Sequence, residues 1–358
     1  MTTLIQKGTY GSIFHPSINV CNGTIENDPD GEKYITKIQA IHDANDEIKI
    51  GDIIKTIPYY THFFSPIESS CVINTKSINY ELIKKCKIMQ NDLAEFARDN
   101  TYSSSKIRYV GKHTLDAYIN TVQNKTDQCA KIYNTHLHLL EALEQLLHHN
   151  IIHFDLKTNN IMFDDIQSIP IIIDFGISNV ITPLLENTPP PSPPPSPPPS
   201  PSKTTFFVDY YAYDFWCIDV FMMANIEHEK HFYKHSIVTK QSLELLLHDF
   251  KTPFFNRFLS EQEIRAFDRD YYNYFSKYAN NNHTWQALFD DLLQFYKSWD
   301  NYSLSMCYLY ICKNHTKDVN PLLQDYIALL KTTILSMPNK RMIPEEFRTK
   351  LLDILAKP

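Results

Sequence analysis

The chain has 358 residues, 43% of them hydrophobic, and its formal net charge is −7. This length can bury one two-lobed core or two smaller cores. The acidic balance gives no electrostatic basis for nucleic acid as a partner, and no apolar run approaches the ~20 residues of a membrane span. With no apolar signal region at the amino terminus and seven scattered cysteines, the composition favours an intracellular protein with reduced thiols.

The first predicted element is a strand, a glycine turn and a second strand over residues 4–14, LIQKGTYGSIF. The turn consists of Gly8, Thr9, Tyr10 and Gly11, with the apolar side chains of Ile5 and Ile13 in the flanking strands. The backbone N–H groups of such a turn can cover the phosphates of a nucleotide. Because the chain has only seven glycines, roughly 2% against a typical ~7%, those in the turn indicate a backbone geometry that other residues do not allow. An ordinary hairpin is the alternative.

A strand with the sequence YITKI follows and contains Lys37. The next segment, DANDEIKIGDIIKTI, has helical periodicity and contains Glu47. A strand lysine can pair with a carboxylate on the following helix, and Glu47 competes for that place with Asp43, Asp46 and Asp52. A solvated surface charge is the alternative interpretation.

The stretch from 59 to 110 predicts two strands, near 63–67 and near 107–110, separated by an insertion at about 72–102. The insertion contains the helix-like segment KKCKIMQNDLAEFARD. A helix predicted over 131–150 then leads into IIHFDLKTNNIMFDDIQSIPIIIDFGIS, which has the pattern of a loop, a strand, a turn and a strand.

Three polar residues mark the ends of this predicted hairpin: Asp155, Asn160 and Asp174. Folding of the hairpin is expected to bring them together at one edge. A carboxylate and an amide there are suited to hold Mg²⁺, which takes oxygen ligands. The second carboxylate is then available to orient a hydroxyl group.

HFDLKTNN followed by DFG resembles the catalytic core of the eukaryotic-type protein kinases. Within that superfamily the chain is similar to the divergent serine/threonine kinases of large nucleocytoplasmic DNA viruses, such as iridoviruses. The resemblance implies an α+β, two-lobed protein kinase fold. A small β-rich lobe would occupy residues 1–107, and a hinge and larger helical lobe residues 108–358. It also implies ATP and Mg²⁺ as nucleotide and cofactor.

The resemblance assigns roles residue by residue. Asp155 and Lys157 are the expected catalytic residues, and Asn160 and Asp174 the expected metal ligands. The expected nucleotide-binding residues are Ile5, Gly8, Thr9, Tyr10, Gly11, Ile13, Lys37, Glu47, Tyr109, Val110 and Met162. Tyr109 and Val110 would form the hinge beside adenine, and Ile35, at a position usually held by alanine, would narrow the adenine pocket.

Several positions depart from the family pattern. Phe154 replaces the arginine that commonly precedes the catalytic aspartate, so we expect activity without phosphorylation of the activation segment. The Ala-Pro-Glu motif is absent, which leaves Arg341 without its usual partner. Asp214 stands at the start of an apolar helix predicted from Phe215 to Ala224, suited to cap it or to brace the catalytic loop.

A Pro/Ser-rich insert at about 183–203 contains ten prolines between Pro189 and Pro201. Such a tract favours an extended polyproline conformation. It is either an expansion in a tolerant loop, a ligand for proline-recognising domains through 189–201, or a substrate for proline-directed kinases.

Together these features predict a serine/threonine protein kinase, of viral type, that transfers the γ-phosphoryl group of ATP to protein hydroxyls. Two alternatives stay open. One is a pseudokinase scaffold that presents the proline tract. The other is a small-molecule phosphotransferase.

Overall fold

The computed structural model describes most of the chain. The described residues are 3–7, 11–21, 26–74, 101–122, 124–182, 213–228, 234–250, 255–313 and 320–357. Three predicted features lie outside them: residues 8–10 of the glycine turn, the insertion from 75 to 100, and the proline tract. The chain divides into two compact units. Unit 1 is Met1–Thr121 with Thr158–Ser178, and unit 2 is Val122–Lys157 with Asn179–Pro358.

The main sheet of unit 1 has five strands. They are β1 (Thr3–Lys7), β2 (Ser12–His15), β5 (Tyr34–Ala40), β7 (Ile67–Asn74) and β8 (Thr101–Arg108). Between β2 and β5, the strands β3 (Ile18–Asn19) and β4 (Glu26–Asn27) form a separate short pair. Their order is β1-β2-β5-β8-β7, and neighbouring strands are antiparallel. Helix α1 (Ile41–Ile54) follows β5 and packs on β5, β7 and β8.

Strands β7 and β8 extend well beyond the strands predicted near 63–67 and 107–110. The run Tyr102–Ser105 of β8 is buried, because β8 lies between β5 and β7. A run of serines ordinarily indicates a turn or loop, which is why the sequence pattern concealed a central strand. The ends of the insertion predicted at 72–102 therefore belong to the sheet.

A second sheet in unit 1 has four short strands. They are β6 (Phe64–Ser65), β9 (His113–Thr114), β11 (Ile161–Asp164) and β12 (Ile169–Ile173). Their order is β6-β12-β11-β9, and helix α2 (Leu115–Ile119) follows β9. Since β12 pairs with β6 and β11 pairs with β9, residues 158–178 belong to unit 1. The predicted division had one boundary, between residues 107 and 108. In the structure, residues 108–121 and 158–178 also belong to unit 1.

Unit 2 is mainly helical. Its helices are α3 (Lys125–His148), α4 (Ile218–His228), α5 (Lys240–Asp249), α6 (Phe255–Phe258), α7 (Glu261–Asn280), α8 (Trp285–Leu293), α9 (Trp299–Cys312), α10 (Pro321–Leu335) and α11 (Pro344–Leu355). Strands β10 (Ile151–Ile152) and β13 (Asn179–Val180) form a small antiparallel pair. Helix α9 is buried on nearly every side, so it forms the centre of the unit's core. The predicted α+β class is confirmed: the β-rich part is unit 1 and the helical part is unit 2.

Helix α3 begins six residues earlier than predicted. The side chain of Asn124 accepts a hydrogen bond from the N–H of Thr126 at 3.0 Å, and this N-cap satisfies one of the backbone donors that a helix start leaves unpaired. Helix α11 begins at Pro344, a residue suited to the first helical position because its backbone φ is already helical. Its residues Phe347 and Leu351 are fully buried, so they form the core-facing side of the helix.

Cys21 and Cys71 form a disulfide bond, so the prediction of reduced cysteines is wrong for this pair. The pair joins the segment after β3 to strand β7, two segments that are 50 positions apart in sequence. Sequence spacing alone could not reveal their proximity, because it arises from the order of strands in the sheet. Within the described ranges, no helix combines the length and the apolar character needed to cross a bilayer.

Candidate active site

The hairpin formed by β11 and β12 places two predicted metal ligands at one edge. Asn160 ends the short 3-10 helix Thr158–Asn160 immediately before β11, and Asp174 follows β12 directly. Ile161 pairs with Ile172 in the strand register, so the two polar residues lie at the same end of the hairpin. Both line one cavity of about 140 Å³ in unit 1.

This cavity also contains most of the predicted nucleotide-binding residues. Its lining consists of Ile13, Ile35, Lys37, Glu47, Ile107, Arg108, Tyr109, Val110, Gly111, Asn159, Asn160, Met162, Ile173 and Asp174. The backbone of Ile5 belongs to β1. Gly11 does not line the cavity, and a Cβ there would lie 2.9 Å from the carbonyl oxygen of Ile38. The cavity therefore has apolar walls and a charged end.

Lys37 is the centre of the charged end. Its Nζ atom lies 2.8 Å from Glu47 Oε2 and 2.9 Å from Asp174 Oδ1. Burial tends to lower the pKa of Lys37, but the charges of Asp174 and Glu47 raise it above its ordinary value. The ammonium group therefore stays protonated, as a phosphate-binding lysine must.

Glu47, and none of the competing acids, is the helical partner of Lys37. It belongs to the buried face of α1, and its side chain is 3% exposed. Asp46 and Asp52 instead pair with nearby lysines at the surface, and Asp43 pairs with His42. The position within the helix decides the pairing, because only the face toward the sheet reaches Lys37.

Asp174 has a backbone conformation that few non-glycine residues adopt, with φ at 64°. Such a conformation costs on the order of 1–3 kcal/mol and persists only where surrounding contacts hold it. Here the ion pair with Lys37 holds one carboxylate oxygen, while the side chain is 45% exposed. The amide oxygen of Asn160 and the carboxylate of Asp174 form an oxygen donor set that fits Mg²⁺.

The predicted hinge is fixed by its own hydrogen bonds. Arg108 Nη1 donates to Asp164 Oδ2 at 3.1 Å, and Asp164 also accepts the N–H groups that form the β11–β12 turn. The N–H of Tyr109 donates to the carbonyl oxygen of Lys33 at 2.8 Å. That N–H is therefore already bonded to the protein, as is the carbonyl oxygen of Arg108, which accepts from Ser65 Oγ at 3.0 Å.

In unit 2, Asp155 is held by two donors. Lys157 Nζ lies 2.8 Å and 3.1 Å from its two carboxylate oxygens. The hydroxyl of Tyr213 donates to Asp155 Oδ1 at 2.5 Å. Burial and the charge of Asp155 raise the pKa of Tyr213 above its ordinary value, so the phenol stays protonated and donates. No sequence motif pointed to Tyr213, which is 58 positions from its partner.

The loop before Asp155 is strained and strongly supported. Phe154 has φ at 64°, its N–H donates to Asp300 Oδ1 at 3.1 Å, and its carbonyl accepts from Trp216 Nε1 at 2.8 Å. Asp300 Oδ2 accepts the N–H of His153 at 2.7 Å. Since Phe154 is 4% exposed, both its side chain and its backbone are fixed by the core.

Asp300 therefore does what the resemblance assigned to Asp214. Helix α4 begins at Ile218 rather than Phe215, so Asp214 does not stand at its start and the predicted cap is wrong. The aspartate that braces the loop comes from α9, at the centre of unit 2. Burial raises the pKa of Asp300, while the charge of His153 and the two backbone N–H groups lower it; the net direction is upward.

Arg341 does have a partner, contrary to the expectation from the missing Ala-Pro-Glu motif. Its Nη1 and Nη2 atoms donate to the two carboxylate oxygens of Asp219, each at 3.0 Å. Both side chains are 0% exposed. Trp299 Nε1 adds a third donor to Asp219 at 3.1 Å. The signal in the sequence was an aspartate within the otherwise apolar start of α4.

Comparison with known proteins gives one family match. A sequence profile described as "Protein kinase domain" matches residues 79–347, which include Asp155, Asn160 and Asp174 but not Lys37. No curated protein matches the chain. Among solved structures 1443 chains match. One is titled "Structure of the Cydia pomonella Granulovirus kinase, PK-1", with 16% sequence identity and a TM-score of 0.32. The match covers 50% of this chain and 55% of that one, so this chain spans about half the length of that kinase.

Proposed function

The chain belongs to the protein kinase domain family, and from that premise we propose that it is a serine/threonine protein kinase. It would transfer the γ-phosphoryl group of ATP to hydroxyl groups of protein substrates. The observation that carries this proposal is that Lys37 Nζ contacts two carboxylates, at 2.8 Å from Glu47 Oε2 and 2.9 Å from Asp174 Oδ1. The alternatives are a pseudokinase scaffold and a small-molecule phosphotransferase.

Unit 1 supplies the nucleotide side of the reaction. Ile13, Ile35 and Met162 form apolar walls that suit an adenine ring. Lys37 stays cationic and would hold the α- and β-phosphates, since phosphoryl transfer depends mainly on positioning and charge stabilisation. Asn160 and Asp174 would hold Mg²⁺, which neutralises negative charge on the phosphates when it is bound.

Unit 2 supplies the acceptor side. Asp155 would accept a hydrogen bond from the substrate hydroxyl and orient it for attack. Lys157, 2.8 Å from Asp155, would offset the charge that develops on the transferring group. A lysine at this position resembles the pattern of the serine/threonine kinases, which supports serine and threonine hydroxyl groups as the acceptors.

The remaining features of the proposal concern origin, location and partners. The resemblance to the kinases of large DNA viruses supports a viral origin and an intracellular site of action in the host. The Ser-Pro repeats and the prolines of 189–201 support docking to proline-recognising domains. The acidic balance supports protein, rather than nucleic acid, as the substrate.

The test is transfer of radiolabelled phosphate from ATP to a generic protein substrate, with phosphoamino-acid analysis of the product. Asp174→Ala is expected to abolish transfer. Asp165→Ala is the matched control, because it removes an exposed carboxylate from the same hairpin, and it should transfer at the wild-type rate. Label on serine and threonine supports the proposal, and label on tyrosine contradicts the acceptor choice. Label on a small metabolite favours the phosphotransferase, and no transfer by wild type favours the scaffold.

A further inference from the structure

Gln39 lies beside the Lys37–Glu47 ion pair but belongs to none of the roles described above. It follows Lys37 by two positions in β5, so both side chains point to the same face of the strand. Its Nε2 atom donates to Glu47 Oε2 at 2.9 Å. Lys37 Nζ lies 2.8 Å from the same oxygen. One carboxylate oxygen therefore has a charged donor and a neutral donor.

The charges around Lys37 explain why a second donor is useful. One ammonium group contacts two carboxylates, those of Glu47 and Asp174. A buried carboxylate that loses a donor pays a large desolvation cost. The phosphates of a nucleotide would add a further anionic partner to the ammonium group of Lys37. The amide of Gln39 offers a donor that carries no charge and does not depend on the nucleotide.

The other end of the Gln39 side chain is an unsatisfied acceptor, which indicates that the glutamine is not optimised for fold stability alone. Gln39 is 1% exposed, and within the described part of the chain its Oε1 atom has no hydrogen-bond partner. An unsatisfied buried acceptor is destabilising, and such a group in a folded protein calls for an explanation. An apolar side chain of similar length would fill the same space without this cost, but it would also remove the donor to Glu47.

We propose that Gln39 is a positioning residue that holds the Glu47 carboxylate toward Lys37, so that Lys37 is correctly placed for the phosphates of ATP. The inference rests on the proposed kinase function and deepens it. Gln39 acts through Glu47 and touches neither nucleotide nor acceptor. Its effect belongs to the use of ATP and not to the binding of the protein substrate.

The test compares Gln39→Met with a matched control, Ser103→Ala. Ser103 faces Gln39 across the strand pair, is 1% exposed, and bonds to Ser105 Oγ at 3.1 Å rather than to Glu47. Gln39→Met is expected to lower kcat/KM for ATP about tenfold, equivalent to about 1.4 kcal/mol, with KM for the protein substrate unchanged. Its Tm should stay close to that of wild type, because the substitution removes both the unsatisfied acceptor Oε1 and the hydrogen bond from Nε2 to Glu47, and these two losses have opposite effects on stability. Ser103→Ala should retain kcat/KM for ATP.

A third variant isolates the contact. In a Glu47→Gln background, Gln39→Met should change kcat/KM for ATP by less than about twofold, because the carboxylate that it positions is gone. Wild-type kcat/KM for ATP in Gln39→Met would overturn the inference. So would equal losses in Gln39→Met and Ser103→Ala accompanied by a lower Tm, since that result indicates a general packing role.

The failure of the proposed function is distinguishable from the failure of this inference. If wild type transfers no phosphate, the kinase proposal fails, and Gln39 is then tested by equilibrium binding of a fluorescent ATP analogue. Weaker binding by Gln39→Met than by wild type and Ser103→Ala supports the positioning role. Equal binding by all three overturns it.

Discussion

Asp300 is the single side chain whose loss should most directly disturb the catalytic loop. Its two oxygens accept the N–H groups of His153 and Phe154, at 2.7 Å and 3.1 Å. Phe154 has the strained φ of 64°, a conformation that surrounding contacts must hold. Asp300→Asn preserves the shape of the side chain but replaces one acceptor oxygen with an NH₂ group. One of the two backbone donors then faces another donor inside the core.

The cost follows from the number and type of bonds lost. A hydrogen bond to a charged group contributes about 1.5–3 kcal/mol, and leaving a buried donor unsatisfied costs a similar amount. Asp300→Asn should therefore lower the free energy of unfolding by roughly 2–3 kcal/mol. Because the loop places Asp155, a small displacement should lower kcat on the order of 10²-fold.

Two measurements check this prediction: urea unfolding of the variant, and steady-state kinetics together with ATP binding. Affinity for ATP should stay unchanged, because Lys37 and the other cavity residues belong to unit 1. The matched control is Asp325→Asn, which alters an exposed pair with Lys357 in unit 2 and should cost no more than about 1 kcal/mol. A wild-type kcat in Asp300→Asn would refute the claim that this carboxylate positions the catalytic loop.

Three further outcomes are expected. Gly111→Ala would place a Cβ atom 2.4 Å from the carbonyl oxygen of Phe163, so the backbone must move. Thermal unfolding should show a decrease of about 1–3 kcal/mol in the free energy of unfolding, and titration should show weaker binding of ATP. A Tm equal to that of wild type would contradict this expectation. Tyr213→Phe removes the hydroxyl that donates to Asp155 at 2.5 Å, so kcat should fall at least about tenfold with little change in Tm; unchanged kcat would show that the bond is dispensable. Phe154 is buried and cannot bind a phosphate group, so phosphatase-treated and untreated enzyme should have the same kcat. A large drop in kcat after dephosphorylation would contradict the prediction that activity does not need phosphorylation of the activation segment.

The parts of the site that the sequence predicted are local. Asn160 and Asp174 are separated by one short hairpin, whose alternation of apolar runs and a turn specifies where its ends meet. Lys37 and Glu47 are ten positions apart, on consecutive elements. For the hairpin, pattern and spacing were sufficient; for Lys37 they narrowed the partner to the acidic residues of the next helix, and the resemblance favoured Glu47 among them.

The parts that the sequence did not predict depend on packing between distant segments. Tyr213 reaches Asp155 over 58 positions, and Asp300 reaches His153 over 147. On composition alone, any of the 41 acidic residues could have filled the place of Asp300, and any of the 22 tyrosines that of Tyr213. Gln39 is close to Lys37 in sequence, yet its role depends on which face of α1 packs on the sheet. The isoleucines of the predicted helical segment, Ile48, Ile50, Ile53, Ile54 and Ile57, do not all share one face, so the packed face could not be assigned beforehand.

The buried pair of Asp219 and Arg341 shows why a missing motif was misleading. An arginine with 0% exposure cannot give up its charge in a protein, and removal of a buried partner costs about 3–5 kcal/mol. The physical requirement is thus a carboxylate within reach of both guanidinium nitrogens, and Asp219 meets it with two contacts of 3.0 Å. A glutamate in an Ala-Pro-Glu motif is one way to satisfy that requirement, and an aspartate on a buried helix is another. Charge balance in the core therefore requires a carboxylate beside Arg341, but it does not require that the carboxylate come from an Ala-Pro-Glu motif.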